Sequence, residues 1–473
     1  MRLLGSTIGQ RVLSMVTGVT VAAGALVALG TATGGVAAAE PAPPYDSFYN
    51  LPDGWQQAQP GQILKSRQVD VKLLQLLPTN ANAWQLLYRT TGEHGEPYAA
   101  VTTVMTPRGP AKPRPLLSYQ MAVDSVLRVC NPSYGLIRGL PIEPANPAGP
   151  LPFPAASGEL ALAAVGLQQG WAVAMPDHGG VDNRFLTPRQ PGYAVLDGIR
   201  AVQAFTPLKL DKKGPVGLMG YSGGAIASSW TIEEHPTYAP EINIQGAAMG
   251  APERSLEDSL RDVNATPLAG LIPLALGAVL KDEPALTPVL HKYVTGEGIR
   301  RIQETRNHCL AQNVLQNLWY DYHRYFTKPL NVILADPQVA AAFRSRGISG
   351  RVPTAPAYIY NGVTEEVGPI RAADRLVRSY CAGGAPVVYR REALPPRPIP
   401  QLMTTHGTVA MTGAPGALVW LKTRLSTPHP KELTGCDIKT VPSSLLDPAA
   451  MEMLGSGVIG NTMLAAIGWP IGS

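Results

Sequence analysis

Apolar and polar residues alternate between Ala83 and Met105, and a period of two marks half-buried strands. The pattern predicts antiparallel strands over Ala83–Arg89 and Pro97–Met105. Beyond them alternation gives way to short apolar runs: Pro115–Gln120, Gly170–Pro176, Pro215–Met219, Ile242–Gly250, Ala355–Tyr360 and Pro386–Tyr389. Such runs suit strands buried on both faces. Helical segments intervene at Ala156–Gln169, Gly192–Thr206, Ala225–Glu234 and around Arg371–Tyr380. Strands alternating with helices predict an α/β fold whose mostly parallel sheet is covered on both sides. Near the end, Leu418, Leu421 and Leu425 share one face of a helix predicted over Ala414–Leu425, with Pro415 in its first turn, where proline is tolerated.

Residues Pro252–Val352 break this rhythm. They read as helical, lack a clear strand, and are best explained as a cap inserted into the sheet domain. Within them Thr266–Leu280 carries no charge. At roughly 15 residues the run is too short to cross a bilayer. A buried helix pair in the cap core accounts for it; a lid surface that touches lipid is the sharper alternative. The predicted organisation is a leader over 1–39, a core in two parts over 40–251 and 353–425, the cap over 252–352, and a Pro/Gly-rich flap over 426–473. The stretch Glu40–Leu64 is expected to run extended over the surface.

Composition adds the compartment. Charged residues make up only 15% of the chain, against 48 glycines and 46 prolines, which suits a loop-rich exported protein. The N-terminus has Arg2 and Arg11, an apolar stretch over Val12–Gly30, and Ala37-Ala38-Ala39 before Glu40. This predicts a signal peptide cut after Ala39, hence a secreted or cell-envelope protein of bacterial type, with an uncleaved anchor as the competing reading. Four separated cysteines without a CxxC argue against zinc or dithiol redox chemistry and, behind a signal peptide, for two disulfides in one of three pairings. A net charge of +5 with no basic run leaves no nucleic-acid footprint.

The chemistry centres on Gly220-Tyr221-Ser222-Gly223-Gly224-Ala225. Gly-x-Ser-x-Gly between a buried strand and a helix is the form of a nucleophile elbow, in which a strained turn lifts the serine clear of both elements. A serine hydroxyl needs a base, and the base needs a carboxylate to orient it. In α/β-hydrolases the order is serine, acid, histidine. Only His406 and His429 follow both Ser222 and the strand ending at Tyr360. His406, in a loop before a helix, fits better than His429, which sits between prolines in the tail. The loop Asn361–Pro369 offers Glu365 and Glu366 as the acid. Asp177 precedes the serine, so it reads as a strand-ending residue that ties loops together. His178-Gly179-Gly180 follows the wrong strand for an oxyanion loop and reads as a turn. The oxyanion needs two donors: the backbone N–H of Gly223, and a group in the loop Met121–Ser125, where Asp124 lies.

These residues resemble the secretory-lipase family, the lipase A-like α/β-hydrolases. The matching pieces are Ser118-Tyr119-Gln120 with Asp124-Ser125, then Cys130 to Tyr134, Pro176-Asp177, Leu196 to Ala201, the elbow, Gly362 with Glu365-Glu366-Val367 and Pro369, and His406. They run in family order across most of the chain beyond the leader. The resemblance implies an α/β-hydrolase fold with a helical cap and a C-terminal flap. It implies Ser222 as nucleophile, His406 as base, oxyanion donors at Asp124 and Gly223, and the disulfides Cys130–Cys309 and Cys381–Cys436. One departure stands out: the family typically has aspartate where this chain has Glu365. A glutamate with a shifted rotamer could do the same work, or the triad could be weakened.

The expectation is a secreted serine ester hydrolase, triacylglycerol lipase-like, that acts on lipid acyl esters with Glu365 holding His406. It would need no metal or organic cofactor, and its partners would be the acyl-ester substrate and, through the cap, a transient lipid interface. The alternatives are acyl transfer to an alcohol by the same groups and a catalytically weak envelope protein that keeps the fold for binding.

Overall fold

A computed structural model describes residues 46–138, 155–395, 404–427 and 430–472. The expected leader and His429 lie outside the described residues. The strands are β1 (Ile63–Gln68), the short hairpin β2 (Lys72–Leu73) and β3 (Leu77–Pro78), β4 (Asn82–Thr91), β5 (Pro97–Thr106), β6 (Leu116–Gln120), β7 (Ala172–Pro176), β8 (Val216–Tyr221), β9 (Ile244–Gly250), β10 (Ala357–Gly362), β11 (Val387–Glu392) and β12 (Cys436–Val441). Ten form one sheet in the order β1-β4-β5-β7-β6-β8-β9-β10-β11-β12. β1, β4, β5 and β7 pair antiparallel, and every pair from β7 onward is parallel.

The principal helices are α1 (Ala155–Gln168), α2 (Gln190–Ala204), α3 (Gly223–Tyr238), α4 (Leu256–Asp262), α5 (Leu271–Asp282), α6 (Pro337–Arg346), α7 (Ile370–Ala382), α8 (Thr405–Leu425) and α9 (Gly460–Ala466). Alternate residues of the central strands feed two cores. Leu117, Tyr119, Met219, Tyr221 and Tyr360 face α1 and α8. Leu116, Leu218, Met249 and Ile359 face α2, α3 and α7. Every residue of β6, β8 and β10 is buried, as a parallel sheet coated on both faces requires.

β1 and the β2–β3 hairpin stand where no strand is predicted, and three further features differ from the sequence pattern. α8 begins at Thr405, so His406 stands in its first turn and Pro415 in its interior. The Thr404 side chain caps it by accepting the Gly407 N–H at 2.9 Å, a start signal hidden by the small, apolar-poor residues that follow. The run Thr266–Leu280 folds as a turn leading into the single helix α5, with Pro273 in its first turn, not as a helix pair. The tail contributes a tenth strand, β12, paired in parallel with β11. Its pattern is missed because the edge leaves most of its residues exposed.

Short helices occupy most of 252–352 around a small core of Leu260, Val263, Ile272, Ile299, Ile302 and Tyr325. Arg254 at its start is buried, donating to Glu233 of α3, to Ser229 and to the carbonyl of Gly347 at its end. One side chain thereby ties both ends of the segment to α3. The disulfides are Cys130–Cys309, which joins the loop after β6 to this segment, and Cys381–Cys436, which joins α7 to β12. No described helix is long and apolar enough to cross a membrane.

Candidate active site

Ser222 lies between the end of β8 and α3 with φ 52° and ψ −121°, a conformation an L-residue adopts only under constraint. The constraint is the close approach of the flanking backbones. A Cβ on Gly220 would lie 2.3 Å from the Gly224 carbonyl oxygen, and one on Gly224 would lie 2.0 Å from that of Gln120. The two motif glycines are therefore required by contact. The Ser222 N–H donates to the Gly250 carbonyl at 2.9 Å, which pins the elbow to the end of β9.

His406 is brought in from α8. Its Nδ1 is 2.8 Å from Glu365 Oε1, and the Glu365 side chain is fully buried. The same oxygen accepts backbone N–H groups from Val367 at 3.0 Å and Gly368 at 3.4 Å, so the loop after β10 wraps its own carboxylate. Glu366 contacts the histidine differently, through a 3.3 Å bond from the His406 backbone N–H to Oε2. Of the two adjacent glutamates, Glu365 meets the ring and Glu366 the helix end. The imidazole is held above its ordinary value of 6.5: burial pulls it down, but the Glu365 charge and hydrogen bond, then Glu366 and Asp124, outweigh that. Burial raises Glu366, and the neighbouring Glu365 charge adds to it.

Tyr221 links the elbow to the histidine. Its hydroxyl donates to the His406 carbonyl at 2.5 Å, and the two rings lie 5.0 Å apart. On the other side of Ser222, a Cβ on Gly223 would lie 1.9 Å from Asp124 Oδ1. Asp124 is buried with φ 38°, and that oxygen has no hydrogen-bond partner. Burial pushes its carboxyl up to about 6, against the field of His406 and its own backbone N–H. The residues singled out in sequence, Asp124, Gly223, Ser222, His406 and Glu365, thus lie along one path once Tyr221 is added between the serine and the histidine. Tyr221 was not singled out; its position beside the serine was its only signal.

Asp177 accepts from the Ser133 N–H at 2.8 Å and its hydroxyl at 2.6 Å, so it ties loops together, and His178-Gly179-Gly180 is a turn. An apolar cavity of about 70 Å³ opens on Ser222, Gly223 and Asp124 and is walled by Leu256, Leu271 and Ile272 among others. A second, of about 80 Å³, is walled by residues of 252–352. The two share Leu260, Leu276, Val279 and Phe343 as a partition. A wider cleft, about 1120 Å³, is lined by charged groups including Glu93, Arg128, Asp182 and Lys281 and by none of the residues above. Among the described residues no cluster of three or more His, Cys, Asp or Glu side chains is arranged to hold a metal ion.

Comparison with known proteins gives a consistent result. Residues 155–432 match the secretory lipase family. A protein of Mycobacterium tuberculosis described as a probable inactive lipase is 36% identical over 408 residues, covering 86% of this chain and 87% of the relative. Lipase A of Arthroderma benhamiae is 33% identical over 438 residues, covering 91% and 90%. Candida antarctica lipase A in its closed state superposes with a TM-score of 0.74 at 28% identity, covering 90% of this chain and 95% of that one. The relatives span fungi and a mycobacterium, so they carry no preference for a bacterial source.

Proposed function

The chain belongs to the secretory lipase family, and on that premise we propose that it is an exported serine hydrolase that cleaves lipid acyl esters through an acyl-enzyme. The observation that carries this reading is the 2.8 Å contact between Glu365 and His406 Nδ1, on a histidine joined through Tyr221 to the serine elbow. With Nδ1 held, Nε2 is the nitrogen left to take the serine proton. Ser222 Oγ attacks the ester carbonyl as that proton passes to His406. The tetrahedral oxyanion is met by the Gly223 N–H and the Asp124 position, in front of the N-terminus of α3, whose dipole favours negative charge. His406 then protonates the leaving alcohol. Water attacks the acyl-enzyme with His406 again as base, releasing the acid and restoring Ser222.

The apolar cavity beside Ser222 supports an acyl chain as the group bound there, with 252–352 acting as the cap that shapes its site. The two disulfides support export. Glutamate in place of the family's aspartate is compatible with the triad because the loop draws Glu365 back onto its own Val367 and Gly368 N–H groups. This takes up the extra methylene and keeps the carboxylate within hydrogen-bond distance of the ring.

The relative described as probably inactive favours a second reading, a catalytically weak binding protein on this fold. An active-site-directed phosphonate separates the two. Stoichiometric labelling of Ser222, with turnover of acyl esters, supports the hydrolase; an unlabelled, folded protein sinks it.

A further inference from the structure

Two titratable groups outside the candidate triad, the half-buried Glu159 and the buried His178, hold the junction that leads to Asp124. Glu159, on α1, sends both carboxyl oxygens there: Oε1 accepts the Ala122 N–H at 2.8 Å, and Oε2 accepts the Tyr119 hydroxyl at 3.0 Å. His178, from the turn after β7, donates through Nε2 to the Met121 carbonyl at 2.8 Å. The Met121–Ala122 peptide is therefore gripped at its oxygen and its N–H by side chains of two separate elements.

This peptide lies just past the end of β6, where the strand's own ladder has ended at Gln120. A buried peptide there would be left unpaired without such partners. It also borders the elbow, since a Cβ on Gly224 would lie 2.8 Å from the Gln120 carbonyl carbon and 3.3 Å from the Met121 carbonyl carbon. Two residues further on, Asp124 takes its positive φ against Gly223. A shift of the 121–122 peptide would thus move Asp124 relative to the Gly223 N–H.

We propose that Glu159 and His178 are a pair of positioning residues, a clamp on the Met121–Ala122 peptide that sets the spacing between the two oxyanion donors. Burial keeps His178 below its ordinary value and hence neutral, so Nε2–H serves one carbonyl with no charge to solvate; burial likewise raises Glu159, to about 8, against its two hydrogen bonds. Neither group touches the reacting atoms. The proposal rests on the serine-hydrolase reading, and the experiment separates the two.

Wild type, Glu159→Gln, Glu159→Leu and the pair Glu159→Leu/His178→Leu are compared in kcat, KM, rate of phosphonate labelling and thermal midpoint. Glutamine keeps an acceptor for the Ala122 N–H and should hold kcat within about threefold. Leucine should lower kcat and the labelling rate together by about 10- to 100-fold, the range for a displaced oxyanion donor, with KM changed less than about twofold. The double variant should be little worse than Glu159→Leu, as for groups that act as a unit. If Glu159→Leu does not fold, Glu159→Asp carries the same expectation with a drop of about fivefold, since it shortens the reach to Ala122. A folded leucine or aspartate variant with unchanged kcat, or a loss confined to KM or thermal midpoint, overturns the clamp while a labelled wild type leaves the hydrolase standing. A wild type that is never labelled overturns both.

Discussion

The sheet edge that carries Ser222 and the helical segment over 252–352 are held by different means. At the edge, backbone meets backbone: the contacts at Gly220 and Gly224 leave no room for a methyl group, and β6, β8 and β10 are buried along their whole length. The helical segment is tied by side chains, through the buried Arg254–Glu233 pair, the ion pairs of Arg346 with Asp282 and of Arg371 with Asp258, and one disulfide. The difference teaches a division of labour. The proposed reaction geometry is written into packing that few substitutions can adjust, whereas the walls of the apolar cavities come largely from side chains.

The largest test of that division is at the edge itself. Ser222→Ala should lower kcat by about 10⁵-fold or more, the scale for loss of a nucleophile, measured on a soluble ester. Glu365→Gln should follow at about 10³- to 10⁴-fold, because an amide favours the wrong imidazole tautomer; Glu366→Gln should cost less than about tenfold, since it meets the His406 backbone N–H and not the ring. A reversed order would move the orienting role to Glu366.

The pH profile sharpens the same point. In the proposed mechanism His406 acts as the base and must be neutral, and Glu365 contributes to holding it above 6.5. The acid limb of kcat/KM should therefore lie above 6.5 in the wild type and move to lower pH in Glu365→Gln, where that charge is gone. A limb that stays in place would mean that Glu365 does not act on the base.

Smaller effects are expected in the helical segment. The double replacement Cys130→Ser/Cys309→Ser should lower stability by about 2–5 kcal/mol while leaving kcat on a short ester nearly intact, read by denaturant melts alongside turnover. Phe343→Ala removes part of the partition between the two cavities and should shift preference toward longer acyl chains by about tenfold in relative kcat/KM. If either variant reduced turnover of a short ester as severely as Glu365→Gln, the division between the edge and the helical segment would fail.

Much of this site was legible in the chain because its parts are punctuated. Apolar runs ending in glycine or an acidic loop located β8 and β10, and the order of Ser222, Glu365 and His406 is a one-dimensional constraint. The start of α8 was hidden because Thr404 caps a turn whose next residues, Thr405 to Thr408, show no apolar period. β12 was hidden because an exposed edge strand needs no alternation, and Arg390 and Asp437 stabilise it in part by a side-chain bond to the neighbouring strand.

The sequence by itself determined most of the central strands and helices, their order and the residue types available for chemistry, because periodicity and turn chemistry are local. Only the tertiary structure decided which glutamate meets His406, how Tyr221 joins that histidine to the elbow, and that Glu159 and His178 close on one peptide. Those depend on contacts between residues 37 to 185 positions apart, whose distances arise when the sheet is assembled and leave no periodic trace in the chain.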